Sequence, residues 1–354
     1  MSPADAPGPG ASTGPPVVSV VVPTHDRRRL LAQTLRSILW QREVDFEVIV
    51  VDDGSSDGTA EAVAGLGEAR VRLLSHETPR GVAAARNRGI AEATGAWLAF
   101  CDDDDLWAPD KLARQLQAAR ATGRSWVYTG EVHVDADGMV VGGSPPMPPA
   151  ALVDRLAQAN VVPGGCSGVL LRRDALAGEE LFDGLRYRHF ADWDLWIRLA
   201  RQGPPAWVPA PLVGYRIHPG NASHDTAGMV AELDVVERRH GVQVDRASFY
   251  RYVALLCRRT RRHGAAIAYY VRAALRDRRY LSSGFVDDLT GMAAGAVPAL
   301  RQAAPDRSGR RRPHRGAMPH QPDHDRQWRE AGQAWLRELA SGSPTSLLDG
   351  DGSQ

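Results

Sequence analysis

Four short, nearly unbroken apolar runs punctuate the first hundred residues, at 17–22, 46–51, 71–74 and 97–100. Runs of this kind, rich in Val, Ile and Leu, suit strands buried on both faces. Between them the apolar period changes. Leu31, Leu35 and Ile38 recur at helical spacing, as do Ala60, Val63 and Leu66, and residues 81–93 read as a third helix stopped by Gly95. Pro109 opens a fourth helix with Leu112 and Leu116 on one face, and Asp57 stands where it would cap the second. Strand–helix alternation predicts an α/β, Rossmann-like fold: a mostly parallel sheet flanked by helices and joined by right-handed crossovers.

The pattern loses this regularity after Ser125. Residues 132–134 and 139–141 predict a hairpin around Ala136-Asp137-Gly138, followed by a Pro-rich loop at 144–149 and a short helix. A strand at 169–171 and a helix at 193–201 come next, and from Ala227 the chain reads as mainly helical and rich in Arg. Residues 304–325 combine Pro, Arg and His with no apolar period and predict disorder. Trp328, Trp335 and Leu339 fall on one side of a last short helix at 327–339. The division expected is a disordered leader at 1–16, a main domain at 17–225, a helical extension at 226–300, and a largely disordered tail at 301–354.

Composition narrows the function classes. With 43% hydrophobic and 24% charged residues over 354 positions, the chain can bury an ordinary globular core. A formal net charge of +1 gives no global field for nucleic acid, and none is expected as a partner. Three cysteines form neither a disulfide framework nor a zinc pattern, and no run reaches a membrane span, so a cytoplasmic location is expected. The leader has neither a basic start nor an apolar stretch, unlike a signal peptide. A basic run at Arg258, Arg259, Arg261, Arg262 and His263 reads either as a solvated helix face or as a peripheral contact with anionic lipid headgroups.

Polar clusters close three of the expected strands: Thr24-His25-Asp26, Asp52-Asp53, and Asp102-Asp103-Asp104-Asp105. In an open α/β sheet, ligands bind outside the carboxyl ends of the strands, so convergence of these clusters predicts a site. The four consecutive aspartates are the sharpest signal. Neighbouring carboxylates about 4 Å apart repel by roughly 4 kcal/mol at an effective dielectric near 20, and a cation relieves that cost. Carboxylates without thiol or imidazole neighbours select hard ions, Mg²⁺ or Mn²⁺. The Asp52-Asp53 segment is also good turn and capping chemistry, and Arg86 with Asn87 in an Ala-rich helix is also compatible with simple exposure.

Taken together, Val20-Val21-Val22-Pro23-Thr24, Val51-Asp52-Asp53-Gly54-Ser55-Ser56-Asp57, Gly81 to Gly89 with Ala85-Arg86-Asn87, and Asp102 to Asp105 with Trp107-Ala108-Pro109-Asp110-Lys111-Leu112 resemble the inverting family 2 glycosyltransferases of GT-A fold. Ala191-Asp192-Trp193-Asp194-Leu195-Trp196-Ile197-Arg198 and Tyr215-Arg216-Ile217-His218 extend the resemblance over roughly residues 17–225. It implies that Pro23, Thr24 and Asp53 line a nucleobase pocket, the Asp53 carboxylate accepting a uracil imide N–H, with Arg86 beside the nucleotide. It further implies Asp103 at the ribose, Asp104 on a metal bridging the diphosphate with Asp102 assisting, Asp192 as catalytic base, and His218 at the diphosphate or metal. Two departures stand out. His25-Asp26 replaces the usual Tyr-Asn or Phe-Asn, and Ala191-Asp192 replaces Glu-Asp.

The implied reaction is transfer of a hexose or N-acetylhexosamine from a UDP-linked donor to a hydroxyl- or thiol-bearing acceptor, with inversion. The acceptor classes left open are glycan, lipid-linked sugar, natural product and peptide. Residues Gln-x-x-Arg-Trp and membrane helices, as in the processive polymerases of the family, are absent from the sequence. A nucleotidyltransferase of similar fold is the first rival, but its Gly-rich triphosphate loop has no counterpart in Pro23-Thr24-His25-Asp26. A non-catalytic sugar-nucleotide-binding relative is the second.

Overall fold

The structure, a computed structural model, describes residues 16–175, 181–218, 225–259, 262–281 and 322–341. Residues 1–15 of the expected leader and most of the expected tail lie outside the described residues. The chain forms two compact units. The first takes in the chain up to Ala151, Val162–Arg216 and the last helix from Trp328, and the second takes in Leu152–Val161 and Ile217–Gln327.

The first unit is built on a nine-stranded sheet. Its strands are β1 (Val18–Thr24), β2 (Phe46–Asp52), β3 (Val71–Ser75), β4 (Trp97–Phe100), β5 (Leu106–Trp107), β6 (Trp126–Val134), β7 (Val140–Ser144), β8 (Val169–Arg172) and β9 (Ala206–Arg216), in the order β3-β2-β1-β4-β8-β6-β9-β5, with β7 beside β6. The four expected strands pair in parallel as β3-β2-β1-β4. Beyond β4 the sheet is mixed: β8 runs antiparallel to both β4 and β6, and β6 pairs in parallel with β9. The change coincides with the loss of strand–helix alternation after Ser125.

Helices α1 (Arg28–Leu39), α2 (Thr59–Ala64), α3 (Val82–Glu92) and α4 (Lys111–Thr122) are the crossovers around the first strands. Leu31, Leu35 and Ile38 of α1 are fully buried with Val18, Val20, Val22, Val48 and Val50, so the helical stripe read from sequence is the core face. Helix α3 lies closer to the sheet than a side chain would permit. A Cβ on Gly89 would stand 2.4 Å from Val21 Cγ1, and only glycine allows this approach. The cap of α2 differs from expectation. Gly58, left-handed at φ +80°, occupies the N-cap position, while Asp57 one residue earlier accepts the Thr59 N–H at 3.1 Å.

The last helix runs from Pro322 to Ser341, so it begins inside the stretch expected to be disordered up to residue 325. Proline suits a first helical turn, where its missing N–H is not needed. Trp328, Trp335, Leu336 and Leu339 join Val127, Val132, Val208 and Leu212 in one buried cluster. Trp328 Nε1 donates to Glu131 O at 3.0 Å and Trp335 Nε1 to Pro211 O at 2.8 Å, satisfying both indoles. The helix is therefore part of the first unit's core.

The second unit contains α7 (Thr226–His240), α8 (Arg246–Arg259) and α9 (His263–Arg276), the helices that follow α5 (Pro149–Leu156) and α6 (Ala191–Gln202) in the chain. Tyr250, Val253, Ala254 and Cys257 of α8 meet Ala266, Tyr269, Tyr270 and Ala273 of α9 in a separate buried cluster. Among the described residues no helix is long and apolar enough to cross a membrane.

Candidate active site

The carboxyl ends of β1, β2 and β4 meet at one edge. Thr24 stands opposite Asp52 in the β1–β2 register, the Asp53 N–H donates to Thr24 O at 2.8 Å, and the Cys101 N–H donates to Val21 O at 3.1 Å. The three polar clusters converge as expected. Pro23 is buried in β1 opposite Val51, where its missing N–H is tolerated at the end of the strand.

The two aspartates after β2 do different work. Asp52 Oδ1 accepts the Ser55 N–H at 3.0 Å, which is ordinary turn chemistry. Asp53 turns the other way and is held by His76 Nδ1 at 2.7 Å, Arg80 N at 2.8 Å and Gly81 N at 2.7 Å. Burial raises the Asp53 pKa, but the bonds from His76, Arg80 and Gly81 outweigh it and hold the carboxyl below its ordinary value. Three of its roughly four lone-pair sites are filled, leaving room for one more N–H.

The acidic loop is a crowded arrangement of opposite charges. Asp103 Oδ2 accepts from Thr24 Oγ1 at 2.8 Å and its Oδ1 from Arg27 Nη1 at 3.1 Å, while Arg27 Nη1 also reaches Asp104 Oδ2 at 2.6 Å. Asp102 pairs with Arg86, whose guanidinium lies over the Phe182 ring at 5.2 Å. Beneath the loop, Thr34 Oγ1 bonds the Asp103 and Asp105 carbonyl oxygens at 2.9 and 2.8 Å, and Arg216 donates to the Asp104 carbonyl oxygen. Burial pushes the Asp103 carboxyl up to about 6, opposed by Arg27 and reinforced by Asp104. Asp105 is pushed well above its ordinary range by burial and by its acidic neighbours, and its Oδ1 has no partner.

A tight turn ending in the 3-10 segment Gly165–Gly168 meets this loop. Gly164 and Gly165 are both left-handed, at φ +68° and +49°, and the Gly164 N–H donates to Glu131 Oε2 at 2.7 Å. Ser167 Oγ accepts the Asp102 N–H at 3.0 Å and also bonds the Asp105 carboxyl, tying the turn to the loop. A Cβ on Gly165 would lie 3.6 Å from Asp192 Oδ2, so the same turn also approaches Asp192. Asp192 is half-buried in the first turn of α6 and accepts the Trp193 N–H at 2.7 Å. The N-cap position belongs to Phe190. Asp194 is fully buried and ion-paired with Arg198 at 2.9 Å, which removes it from substrate reach. Buried Arg86 feels both Asp102 and Asp192, and so joins the two acidic groups.

Of the residues singled out from sequence, Thr24, Arg86, Asp102, Asp103, Asp104 and Asp192 thus lie in one connected array, with Asp53 and Pro23 at its β1–β2 side. His218 lies two residues beyond β9, at the start of the second unit. Sequence reading missed Arg27, His76, Glu131 and Arg216. Arg27 did carry a signal, because a cation at the start of a helix opposes the helix dipole unless an anion faces it.

The family described as Glycosyl transferase family 2 matches residues 19–177. A PGL/p-HBAD biosynthesis glycosyltransferase of Mycobacterium bovis (strain BCG / Pasteur 1173P2) is 35% identical over 189 residues, 52% of this chain and 69% of the relative. In fold, the chain is similar to S. aureus TarS 1-349 in complex with UDP-GlcNAc, with a TM-score of 0.53, 17% identity and 82% of each chain covered. It is also similar to the mannosyltransferase PcManGT from Pyrobaculum calidifontis in complex with GDP-Man and Mn²⁺, with a TM-score of 0.50, 21% identity, and 93% and 87% of the two chains covered. The likeness in fold agrees with the GT-A architecture implied by the motifs. The chain belongs to glycosyl transferase family 2 and is a glycosyltransferase.

Proposed function

We propose that the enzyme transfers a hexose or N-acetylhexosamine from a UDP-linked donor to a hydroxyl- or thiol-bearing acceptor, with inversion, assisted by Mg²⁺ or Mn²⁺. The observation that carries this reading is one turn that meets both acidic groups, Gly165 beside Asp192 and Ser167 bonded to the Asp102 N–H, with buried Arg86 interacting with both. Inverting transfer asks for both roles in one site: a base for the acceptor, and charge neutralisation for the leaving group.

Pro23, Thr24 and Asp53 form the nucleobase pocket. The remaining lone-pair site of Asp53 accepts one imide N–H, as uracil presents, and its three fixed donors hold the carboxylate in place beforehand. The structures of TarS with UDP-GlcNAc and PcManGT with GDP-Man make both nucleotides worth testing. Asp103, fixed by Thr24 and Arg27, is placed for the ribose hydroxyls. Asp192 takes the acceptor proton, and its partial exposure leaves it accessible where Asp194 is not.

Among the described residues no three His, Cys, Asp or Glu side chains form a ready metal cage. That fits an ion completed by substrate, since Mg²⁺-type sites commonly use one or two carboxylates plus phosphate oxygens. The donors present are all carboxylate, suited to a hard ion, and Asp104 and Asp102 would hold it. When bound, the ion offsets charge developing on the leaving diphosphate. Arg27 and Arg86 compensate the same carboxylates in the structure as it stands. His218 is a further candidate for the diphosphate.

Release of UDP or GDP from a panel of sugar nucleotides, with metal and in excess EDTA, tests the reading. The expected result is metal-stimulated release of UDP. No release from any donor would favour a non-catalytic binder.

A further inference from the structure

Charge is distributed very unevenly in this protein. Residues 246–279 hold ten arginines and one acidic side chain, Asp277, although the whole chain carries a formal net charge of only +1. Helix α9 lies within this basic stretch. Its inner face, Ala266, Tyr269, Tyr270, Ala273 and Ala274, is buried, in large part against α8. A helix with its apolar face already used normally shows polar residues outside. Instead Ile267, Val271 and Leu275, spaced by four residues along the outer face, are 36%, 43% and 81% exposed.

Arginines border this aliphatic line. Arg272 and Arg276 each follow a member of it by one residue, and they lie over the rings of Tyr269 and Tyr250 at 5.1 and 5.6 Å. Stacking on the rings holds both guanidinium groups at the margin of the line. Arg278 and Arg279 follow at the end of the helix, both exposed. Apolar side chains in a row, flanked by cations whose stems can reach a headgroup layer, is the pattern of a helix lying in a membrane interface.

We propose that the outer face of α9 docks on an anionic lipid bilayer, with Ile267, Val271 and Leu275 entering the headgroup–acyl boundary and the arginines meeting lipid phosphates. Charge complementarity selects this occupant. A nucleic acid would satisfy the guanidinium groups but leave the aliphatic line in water. A second copy of this face would bring arginines against arginines. The proposal is independent of the donor chemistry, and it transfers the membrane expectation from the basic run at 258–263 to a defined helix face.

Flotation of the full chain with phosphatidylcholine vesicles, with and without phosphatidylglycerol, tests it. Binding should favour the anionic vesicles by on the order of tenfold or more and weaken with added salt. Val271→Ser/Leu275→Ser should lower partitioning about tenfold while leaving the melting temperature and nucleotide release unchanged. Arg272→Gln/Arg276→Gln should lower it similarly and flatten the salt dependence. Wild-type protein that does not float with anionic vesicles would overturn the proposal. So would anionic binding unaffected by the serine pair, or a concentration-dependent dimer that the serine pair dissociates.

Discussion

Two groups of aspartates share one edge of the sheet, yet their surroundings are opposite. Asp53 is satisfied before any ligand arrives: three donors fix it, and its carboxyl is held below its ordinary value. Asp103 and Asp105 are burdened, both pushed upward by burial and by neighbouring carboxylates, with Asp105 Oδ1 unpartnered. The first arrangement suits recognition of a group that does not change during reaction, since a fixed acceptor contributes equally to ground and transition states. The second suits a step in which charge appears, and the proposed cation and diphosphate would complete its electrostatics. Substitutions on the β2 side should therefore change binding, and those around the acidic loop and Asp192 should change turnover.

The widest separation is expected at Asp192. Asp192→Asn keeps an acceptor for the Trp193 N–H but cannot serve as a base. Transfer should fall by on the order of 10²–10⁴ with melting temperature and UDP affinity near wild type. A stable variant with normal turnover would remove Asp192 from the mechanism.

Next comes Asp104→Ala, which should lower metal-dependent turnover by roughly 10²–10³ and abolish the response to added Mn²⁺ or Mg²⁺. Full wild-type activity in excess EDTA would defeat the metal assignment. On the other side of the comparison, Asp53→Ala should weaken UDP by about ten- to a hundredfold, the value of a lost charge-assisted hydrogen bond of roughly 1.5–3 kcal/mol. Its melting temperature should also drop, since His76, Arg80 N and Gly81 N lose their acceptor. Calorimetry showing unchanged UDP affinity in the folded variant would place the base elsewhere.

Glu131 lies between these extremes. It fixes the Gly164 N–H in the turn that meets both Asp192 and the loop, and its charge also helps to raise the Asp105 carboxyl. Glu131→Ala should lower kcat about tenfold with little change in UDP affinity, whereas a purely structural role would lower thermal stability alone. Equal kcat in a destabilised variant decides for the latter.

How much of this was legible follows from the distances over which each feature is determined. Strands β1 to β4 and the polar residues at their ends could be read because buried parallel strands are apolar runs and their ends are abrupt. Strand β9 escaped because Pro209 and Pro211 argue against a strand, and the sheet accommodates them with register shifts opposite Thr129 to Glu131. The outline of the last helix was visible in Trp328, Trp335 and Leu339, but not its start at Pro322. Arg27, Arg216 and His76 are defined by partners tens of residues away, which no local pattern reveals. Asp194 stands two residues from Asp192 in the same motif, and its burial and pairing with Arg198 set it apart from the half-buried Asp192.

The smallest expected effect concerns the one lysine buried near the acidic loop. Lys111 is fully buried, donates to Gln115 Oε1 at 2.9 Å, and stands 3.8 Å from the centre of the Trp107 ring. Burial lowers its pKa from an ordinary value of 10.5 to about 7, opposed only by Cys101. Unlike Arg27 and Arg86, it is a cation whose charge the protein resists. Between about pH 7 and 10.5 the unfolded chain binds a proton here that the folded chain does not, so stability rises with pH across that window. Below pH 7 both states are charged and the burial penalty is present in full. Lys111→Met, similar in length and uncharged, should therefore be more stable than wild type near pH 6.5, by roughly 1–3 kcal/mol, and the difference should shrink toward pH 10. Melting curves of both proteins across that range measure it. A difference independent of pH would mean that the ammonium is stabilised where it sits, and that Lys111 belongs with the arginines as a counter-charge to the loop.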